Sequence, residues 1–142
     1  MSIWFEPPDL ERLNTLHVGT AVSALGIRIT SAGEDSLSAA MPVDQRTLQP
    51  YGLLHGGASV LLAETLGSAA STCCVDLTKV YCVGLDVNAN HVRGVHDGVV
   101  TGVARPIHLG RASHVWGIEI RDGDDRLVCI ARLTVAVLPI PK

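Results

Sequence analysis

The chain has 142 residues, of which 47% are hydrophobic, 18% are charged and 4% are aromatic, and its formal net charge is −3 at pH 7. This length suits one domain, residues 1–142, with one core, and the apolar share excludes a disordered chain. The weak negative charge provides no field that would attract nucleic acid or an anionic membrane. A small chain this apolar is expected to hide part of its surface in an oligomer.

The N-terminus and the cysteines predict a cytoplasmic protein. The stretch MSIWFEPPDLERLN lacks the basic segment and apolar run of a secretion signal. The four cysteines have neither a CxxC nor a metal-ligand spacing, which is typical of small buried thiols in a reducing compartment. They are Cys73, Cys74, Cys82 and Cys129.

The first predicted elements are a short helix and two strands. Asp9 follows two prolines and is expected to cap a helix over LERLN. The stretch Ala21 to Thr30 predicts the first strand, and Gly33 to Asp35 a turn. Ser36 to Met41 predicts the second strand, which Pro42 ends.

A loop, VDQRTLQPYG, then leads into one long apolar stretch, QPYGLLHGGASVLLAETLGSAASTCC, from Gln49 to Cys74. It predicts a helix that begins at His55 or Gly56 and ends near Cys74. Because this helix is apolar on all sides, we expect a sheet to wrap around it. Its histidine, glutamate and hydroxyl side chains argue against a membrane-spanning segment.

Four strands in a row are predicted after the helix, over Lys79 to His91, Gly94 to Ile107 (interrupted by a turn at 96–98), Ala112 to Arg121 and Arg126 to Leu138. The last two are separated by Asp-Gly-Asp-Asp, a strong hairpin signal. Strands joined by short turns pair antiparallel. The predicted fold class is therefore α+β, with an antiparallel sheet wrapped around one long central helix.

Glu64 is the only formally charged residue between Arg46 and Asp76. Burying a lone carboxylate costs several kcal/mol unless it is paired, hydrogen-bonded or protonated, so a functional role is favoured. The alternative is a structural ion pair with an arginine of the sheet or of a second subunit. Ser68, one turn further on, could donate to this carboxylate or to a ligand, or could bond back to the helix carbonyl of Glu64.

Helical spacing divides the long helix into two faces. The face of Glu64 also carries Gly57, Val60, Leu61, Ser68 and Ser71. The opposite face, assigned to the sheet, carries Leu62, Leu66, Ala70 and Cys73. At the helix start, Gly56 and Gly57 would leave backbone N–H groups open to an oxyanion, or would simply permit a tight turn.

Three stretches, QPYGLLHGGASVLLAETLGS, GLDVNANHVRG and RPIHLGRASHVWGIEI, resemble the hotdog-fold acyl-CoA thioesterases. They are most similar to the group that hydrolyses aromatic acyl-CoA thioesters. That group includes the 1,4-dihydroxy-2-naphthoyl-CoA thioesterases and the proofreading thioesterases of enterobactin synthesis. The resemblance, from about Leu25 to Leu138, implies a dimer with active sites at the subunit interface and a tetramer built from two dimers. It implies no cofactor, because CoA is part of the substrate.

The resemblance also implies roles for individual residues. Glu64 resembles the catalytic carboxylate, acting as nucleophile or general base, and the N–H of Gly56 resembles the oxyanion donor. His55 and Gln49 resemble the residues that position the thioester and the water. Ser68 resembles a supporting hydroxyl. In the implied dimer, Gly56 of one chain would face Glu64 of the other.

A second implied set would contact the substrate. Arginine suits the phosphates of CoA by its forked donors, although a single arginine is more often a solvated surface charge. Gly84 would lie near the acyl group. The remaining members are His91, Val92, Arg93, Gly94, His108, Leu109, Gly110 and Arg111.

The predicted reaction is hydrolysis of an aromatic acyl-CoA to the free acid and CoA. The chain has no GxSxG motif, and its histidines lack the spacing of a metal site. Two alternatives stay open: a proofreading thioesterase that acts on acyl carrier proteins, and a non-catalytic acyl-CoA binding protein.

Overall fold

Three helices and six strands form the computed structural model, which describes residues 1–142. In chain order they are α1 (Leu10–Leu16), α2 (Ala21–Ala24), β1 (Arg28–Ala32), β2 (Leu37–Pro42), α3 (Gly56–Cys73), β3 (Val80–His91), β4 (Val99–Leu109), β5 (Ser113–Arg121) and β6 (Leu127–Pro139). All strand pairs are antiparallel, in the order β1-β2-β4-β5-β6-β3. The prediction of an antiparallel sheet wrapped around one long helix is confirmed, and this arrangement is the hotdog fold.

The long helix α3 is buried along the side that faces the sheet. Leu62 and Leu66 are fully buried, as are Trp116 and Leu133 of the strands beneath them. A Cβ added to Gly67 would lie 2.5 Å from a terminal methyl group of Leu133, so a larger residue there would displace that leucine or move α3 away from β6. Burying each of these leucines contributes roughly 1.5–3 kcal/mol to the free energy of folding, which favours packing of α3 against the sheet.

The segment Ala21 to Thr30 corrects one prediction. Its first residues form α2, and the strand begins only at Arg28. The hydroxyl of Thr20 caps this helix by accepting a hydrogen bond from the N–H of Val22 at 3.2 Å. Gly26, with φ of +73°, then turns the chain into the strand. The cap and the glycine outweigh the β-branched residues of the segment.

The run Gly94 to Ile107 is a second correction, because its part before the predicted turn is not a strand. Val95 is buried in a loop, where its carbonyl oxygen accepts from the N–H of Leu54 at 2.7 Å. The strand begins at Val99, after a glycine with φ of +83° at position 98, and continues to Leu109.

The helix faces need a third correction, at Ser71 and Cys73. Ser71 is fully buried rather than on the open face of Glu64, because the sheet curls over the C-terminal half of α3. Cys73 is half-buried beside the N-terminal segment, where its carbonyl oxygen accepts from the N–H of Phe5 at 2.8 Å. Leu62, Leu66 and Ala70 lie against the sheet, as predicted.

Strand β3 forms one edge of the sheet. It has 12 residues and pairs only with β6, although β4 follows it in the chain. Apolar side chains on it are exposed, namely Tyr81, Val83 and Leu85, the last to 66%. A long, free, apolar edge is a template for pairing with another strand. None of the helices is both long and apolar enough to cross a membrane.

Candidate active site

The start of α3 is built around the imidazole of His55. This residue is the N-cap, and its Nδ1 accepts a hydrogen bond from the N–H of Gly57 at 2.8 Å. Its carbonyl oxygen accepts from the N–H groups of Ala58 and Ser59 at 3.0 and 3.3 Å. Since Nδ1 is an acceptor, the ring proton lies on Nε2, which is free to donate to a ligand.

After this capping, one backbone donor at the helix start has no acceptor, the N–H of Gly56. It is the first residue of the helix, so it has no intrahelical acceptor, and none of the hydrogen bonds in the surrounding loops uses it. The imidazole of His91 lies over Gly56, because a Cβ added there would sit 2.9 Å from Nε2 of that ring. Neither glycine has a positive φ. Close approach of two imidazoles, His91 to Gly56 and His55 to Gly57, explains the glycine pair better than a tight turn does.

Gln49 lies in the loop before α3, which is held by internal hydrogen bonds. Its side-chain Oε1 accepts from the backbone N–H of Tyr51, and its backbone N–H donates to the carbonyl oxygen of Leu53 at 2.8 Å. The fully buried Thr47 anchors the loop, because its hydroxyl donates to the carbonyl oxygen of Pro42 at 2.8 Å. The side-chain nitrogen Nε2 of Gln49 forms no hydrogen bond within the chain and therefore remains available to a ligand.

Gln49, Gly56 and His91 line a cavity of about 390 Å³, called here the helix-start cavity, whereas His55 does not line it. It is bounded by the loop before α3, the first turn of α3 and the end of β3. Its lining includes six residues predicted for the site, Gln49, Gly56, His91, Val92, Arg93 and Gly94. Arg93 forms no ion pair within the chain, so its guanidinium can meet an anion.

Glu64 lines a different cavity, of about 610 Å³, called here the carboxylate cavity. This cavity lies between α3 and the pair α1–α2, and Ser68 and Gly57 also line it. The ion pairs of the chain all join other residues, so no arginine of this chain neutralises Glu64. The carboxylate lies against Gly84 of β3, where an added Cβ would collide with Oε1. The structure therefore brings Gly84 to Glu64.

Gly56 and Glu64 are not brought together within one chain. Eight residues of helix separate them, which is about 12 Å at 1.5 Å per residue. A donor must lie about 3 Å from the carbonyl oxygen that it polarises. A carboxylate that acts on the same carbonyl, directly or through one water, must also be within a few ångströms. Within one chain, these two predicted groups lie in separate cavities, Gly56 in the helix-start cavity and Glu64 in the carboxylate cavity.

The remaining predicted residues lie apart from both cavities. His108 and Leu109 end β4, and Gly110 and Arg111 form the turn into β5, where the N–H of Gly110 donates to the carbonyl oxygen of Ser113 at 2.9 Å. The ring of His108 folds over Gly110, as a Cβ there would lie 2.5 Å from its Nε2. His108, Leu109 and Arg111 are exposed.

Sequence reasoning missed a buried polar cluster beneath the C-terminal half of α3. The Nε1–H of Trp116 donates to the hydroxyl oxygen of Ser71 at 2.7 Å, and Nδ1 of His114 lies 3.0 Å from the same oxygen. Burial lowers the pKa of His114, so the ring is neutral at pH 7. Every second residue of β5 is buried, which places His114 and Trp116 on the inner face of the sheet. This period of two in the sequence was the signal that could have predicted their burial.

The cysteines are poor nucleophiles in this fold. Burial raises the pKa of the Cys74 thiol to about 12, and it raises the pKa values of Cys73, Cys82 and Cys129 as well. Because the thiolate is the reactive form, these residues are protonated and inert at neutral pH. The candidate chemistry therefore rests on Glu64 and the helix start.

A family model described as "Thioesterase superfamily" matches residues 51–129. The chain is 52% identical over 136 residues to the 1,4-dihydroxy-2-naphthoyl-CoA hydrolase of Escherichia coli, covering 96% of this chain and 99% of that protein. It is 50% identical over 137 residues to the proofreading thioesterase EntH of Cronobacter turicensis, covering 96% and 98%. The crystal structure of a Q49A variant of thioesterase PA1618 from Pseudomonas aeruginosa superimposes with a TM-score of 0.97 at 57% identity, covering 98% and 100%.

Proposed function

The chain belongs to the thioesterase superfamily, and we propose that this thioester hydrolase acts on acyl-CoA thioesters with an aromatic acyl group. The observation that carries the proposal is the carboxylate cavity, a largely apolar space of about 610 Å³ that contains Glu64. Pockets of this size and character accommodate small apolar ligands. The naphthoyl-CoA hydrolase at 52% identity supports an aromatic substrate.

The expected chemistry combines groups from the two cavities, Gly56 from the helix-start cavity and Glu64 from the carboxylate cavity. An N–H at the position of Gly56 would donate to the thioester oxygen and stabilise the oxyanion, which is worth on the order of 3 kcal/mol. Glu64 would either remove a proton from the attacking water or attack the carbonyl carbon itself. In both routes the carbon–sulfur bond breaks, and the sulfur leaves as the thiolate of CoA. Gln49, in the helix-start cavity, would orient the thioester.

Two chains are needed to complete each site under this proposal. Gly56 and Glu64 line different cavities of one chain, and their backbones are about 12 Å apart along α3, so we assign them to two different sites. The free edge of β3 offers a route to a dimer, because two such edges can pair antiparallel. Gly84 lies on that edge, so pairing there would bring the Glu64 of one chain next to the second chain. The helix start of the second chain would then supply the oxyanion donor.

The first experiment measures thiol release from benzoyl-CoA, naphthoyl-CoA and a series of aliphatic acyl-CoA thioesters. We expect the wild-type chain to prefer the aromatic thioesters and Glu64→Ala to lose at least 100-fold in kcat, the scale reported for removing a key catalytic group. Wild-type rates equal to those of Glu64→Ala on every substrate would sink the proposed function. The same acyl group offered on an acyl carrier protein tests the proofreading alternative, which predicts a higher kcat/KM on the carrier protein than on CoA.

The second experiment tests the shared site by mixing two inactive variants. Gly56→Pro removes the N–H donor, and His55 already has the extended backbone, ψ 129°, that a residue before proline requires. A mixed dimer of Gly56→Pro and Glu64→Ala chains would contain one intact site. After subunit exchange, we expect about one quarter of wild-type activity, since half of the dimers are mixed and each has one working site. Mixing that restores no activity, while exchange is demonstrated, contradicts the shared site.

A further inference from the structure

The carboxylate cavity has two walls of different character. The α3 wall carries Glu64 and Ser68, together with two threonines whose hydroxyls are already bonded. The hydroxyls of Thr65 and Thr72 donate back to helix carbonyl oxygens at 2.6 and 2.8 Å, so these two hydroxyl hydrogens are not available to a ligand. The polar groups that this wall leaves free for a ligand are the carboxylate of Glu64 and the hydroxyl of Ser68.

The opposite wall is apolar except for His17. Its other members are Leu13, Leu16, Ala21 and Val22. The backbone carbonyl oxygen of His17 accepts from the Thr20 hydroxyl at 2.6 Å, whereas its imidazole forms no hydrogen bond. Burial lowers the pKa of His17, so the ring is neutral at pH 7 and carries one donor and one acceptor nitrogen.

His17 and Glu64 line the same cavity from opposite sides. His17 lies between α1 and α2, whereas Glu64 and Ser68 belong to α3. A ligand that fills this cavity from Glu64 to the opposite wall would therefore meet the imidazole of His17.

We propose that His17 determines specificity in the carboxylate cavity by hydrogen bonding to a hydroxyl group on the ring of an aromatic acyl group. In an apolar pocket, a few placed polar groups decide which ligand fits. Glu64 and Ser68 lie one turn apart on the α3 wall, whereas His17 is on the opposite wall of the same cavity. The proposal rests on the function proposed above, since it requires the acyl group to enter this cavity.

The test compares hydroxybenzoyl-CoA with methylbenzoyl-CoA at the 2-, 3- and 4-positions, because each pair differs little in size but only one member can hydrogen-bond. For at least one position, the wild-type chain should favour the hydroxyl compound in kcat/KM by roughly threefold to tenfold, the worth of one neutral hydrogen bond. His17→Phe should bring the ratio of kcat/KM between the hydroxyl and methyl members of that pair to about one. His17→Gln, which keeps a donor and an acceptor, should retain it. His96→Phe, a matched change at an exposed histidine in the loop before β4, should leave it unchanged.

Each outcome separates this inference from the proposed function. If His17→Phe keeps the wild-type ratio of hydroxyl to methyl substrates, His17 does not read the substituent. If His17→Phe lowers kcat equally for every substrate while circular dichroism and thermal unfolding match the wild type, the residue acts on the reaction and the specificity role is wrong. If no aromatic thioester is hydrolysed faster than by Glu64→Ala, the proposed function itself has failed.

Discussion

Gly84 leaves room for the candidate carboxylate of Glu64 because it has no side chain. A Cβ added to Gly84 would lie well inside 3.0 Å of Oε1 of Glu64, and ordinary contacts begin at 3.4 Å. In Gly84→Ala the carboxylate must therefore move by roughly 1 Å, and a displacement of that size can cost about 100-fold in rate. We expect kcat to fall between about 10-fold and 100-fold. Because the obstructing atom ends a flexible side chain, the free energy of unfolding should change by less than about 1 kcal/mol.

The assay is thiol release from benzoyl-CoA, with urea unfolding of each variant. Gly123→Ala is the matched control. The φ of Gly123 lies outside the left-handed region, and no atom lies within 4 Å of an added Cβ. If Gly84→Ala acts through Glu64, the double variant with Glu64→Ala should be no slower than Glu64→Ala alone. A Gly84→Ala rate within twofold of wild type, or a further loss in the double variant, would refute this reasoning.

Three further predictions concern the helix start and the buried cluster. Gly56→Pro should be about 100-fold to 1,000-fold slower in kcat than Gly56→Ala, which keeps the N–H, and equal rates would exclude an oxyanion role for that donor. Ser71→Ala should lower the free energy of unfolding by about 1–3 kcal/mol in urea titrations, because it leaves the buried Nε1–H of Trp116 without an acceptor, and the same change made in a Trp116→Phe background should cost less. Because burial lowers the pKa of His114, the unfolded chain binds this proton more readily, so the contribution of the neutral ring to stability is complete above the ordinary histidine pKa of about 6.5 and falls as the pH drops below it. Urea titrations across this pH range should show a shallower fall for His114→Gln, and an unchanged slope contradicts the assignment.

Local signals account for the parts of the fold that the sequence predicted. Helix α3 was placed within one or two residues because His55 and the two glycines mark its start and the apolar residues continue to Cys73. The last two strands followed from the turn after Arg121. Helix α2 was missed because the cap at Thr20 and the turn at Gly26 are single residues within a β-like composition.

Long-range contacts account for what the sequence could not supply. Ser71 bonds to partners on β5 that are 43 and 45 positions away in the chain, and no periodicity of α3 could distinguish it from the open face of Glu64. His17 belongs to the carboxylate cavity only because α1 and α2 pack over α3. The spatial order of the strands was equally hidden, since β3 lies beside β6 rather than beside the strand that follows it.

The position of β3 at the edge of the sheet also constrains when this chain can fold during synthesis. Its residues pair with partners that are 38 positions away, from His91 to Cys129, up to 59 positions away, from Val80 to Pro139. Loops of that length close slowly, and the apolar surface of α3 stays uncovered until they close. On the ribosome, α3 and β3 emerge well before β6, so the nascent chain exposes the apolar surface of α3 and the edge of β3 until its final strand is free. A chain that stopped before Leu127 would therefore lose the partner of β3 together with β6 itself.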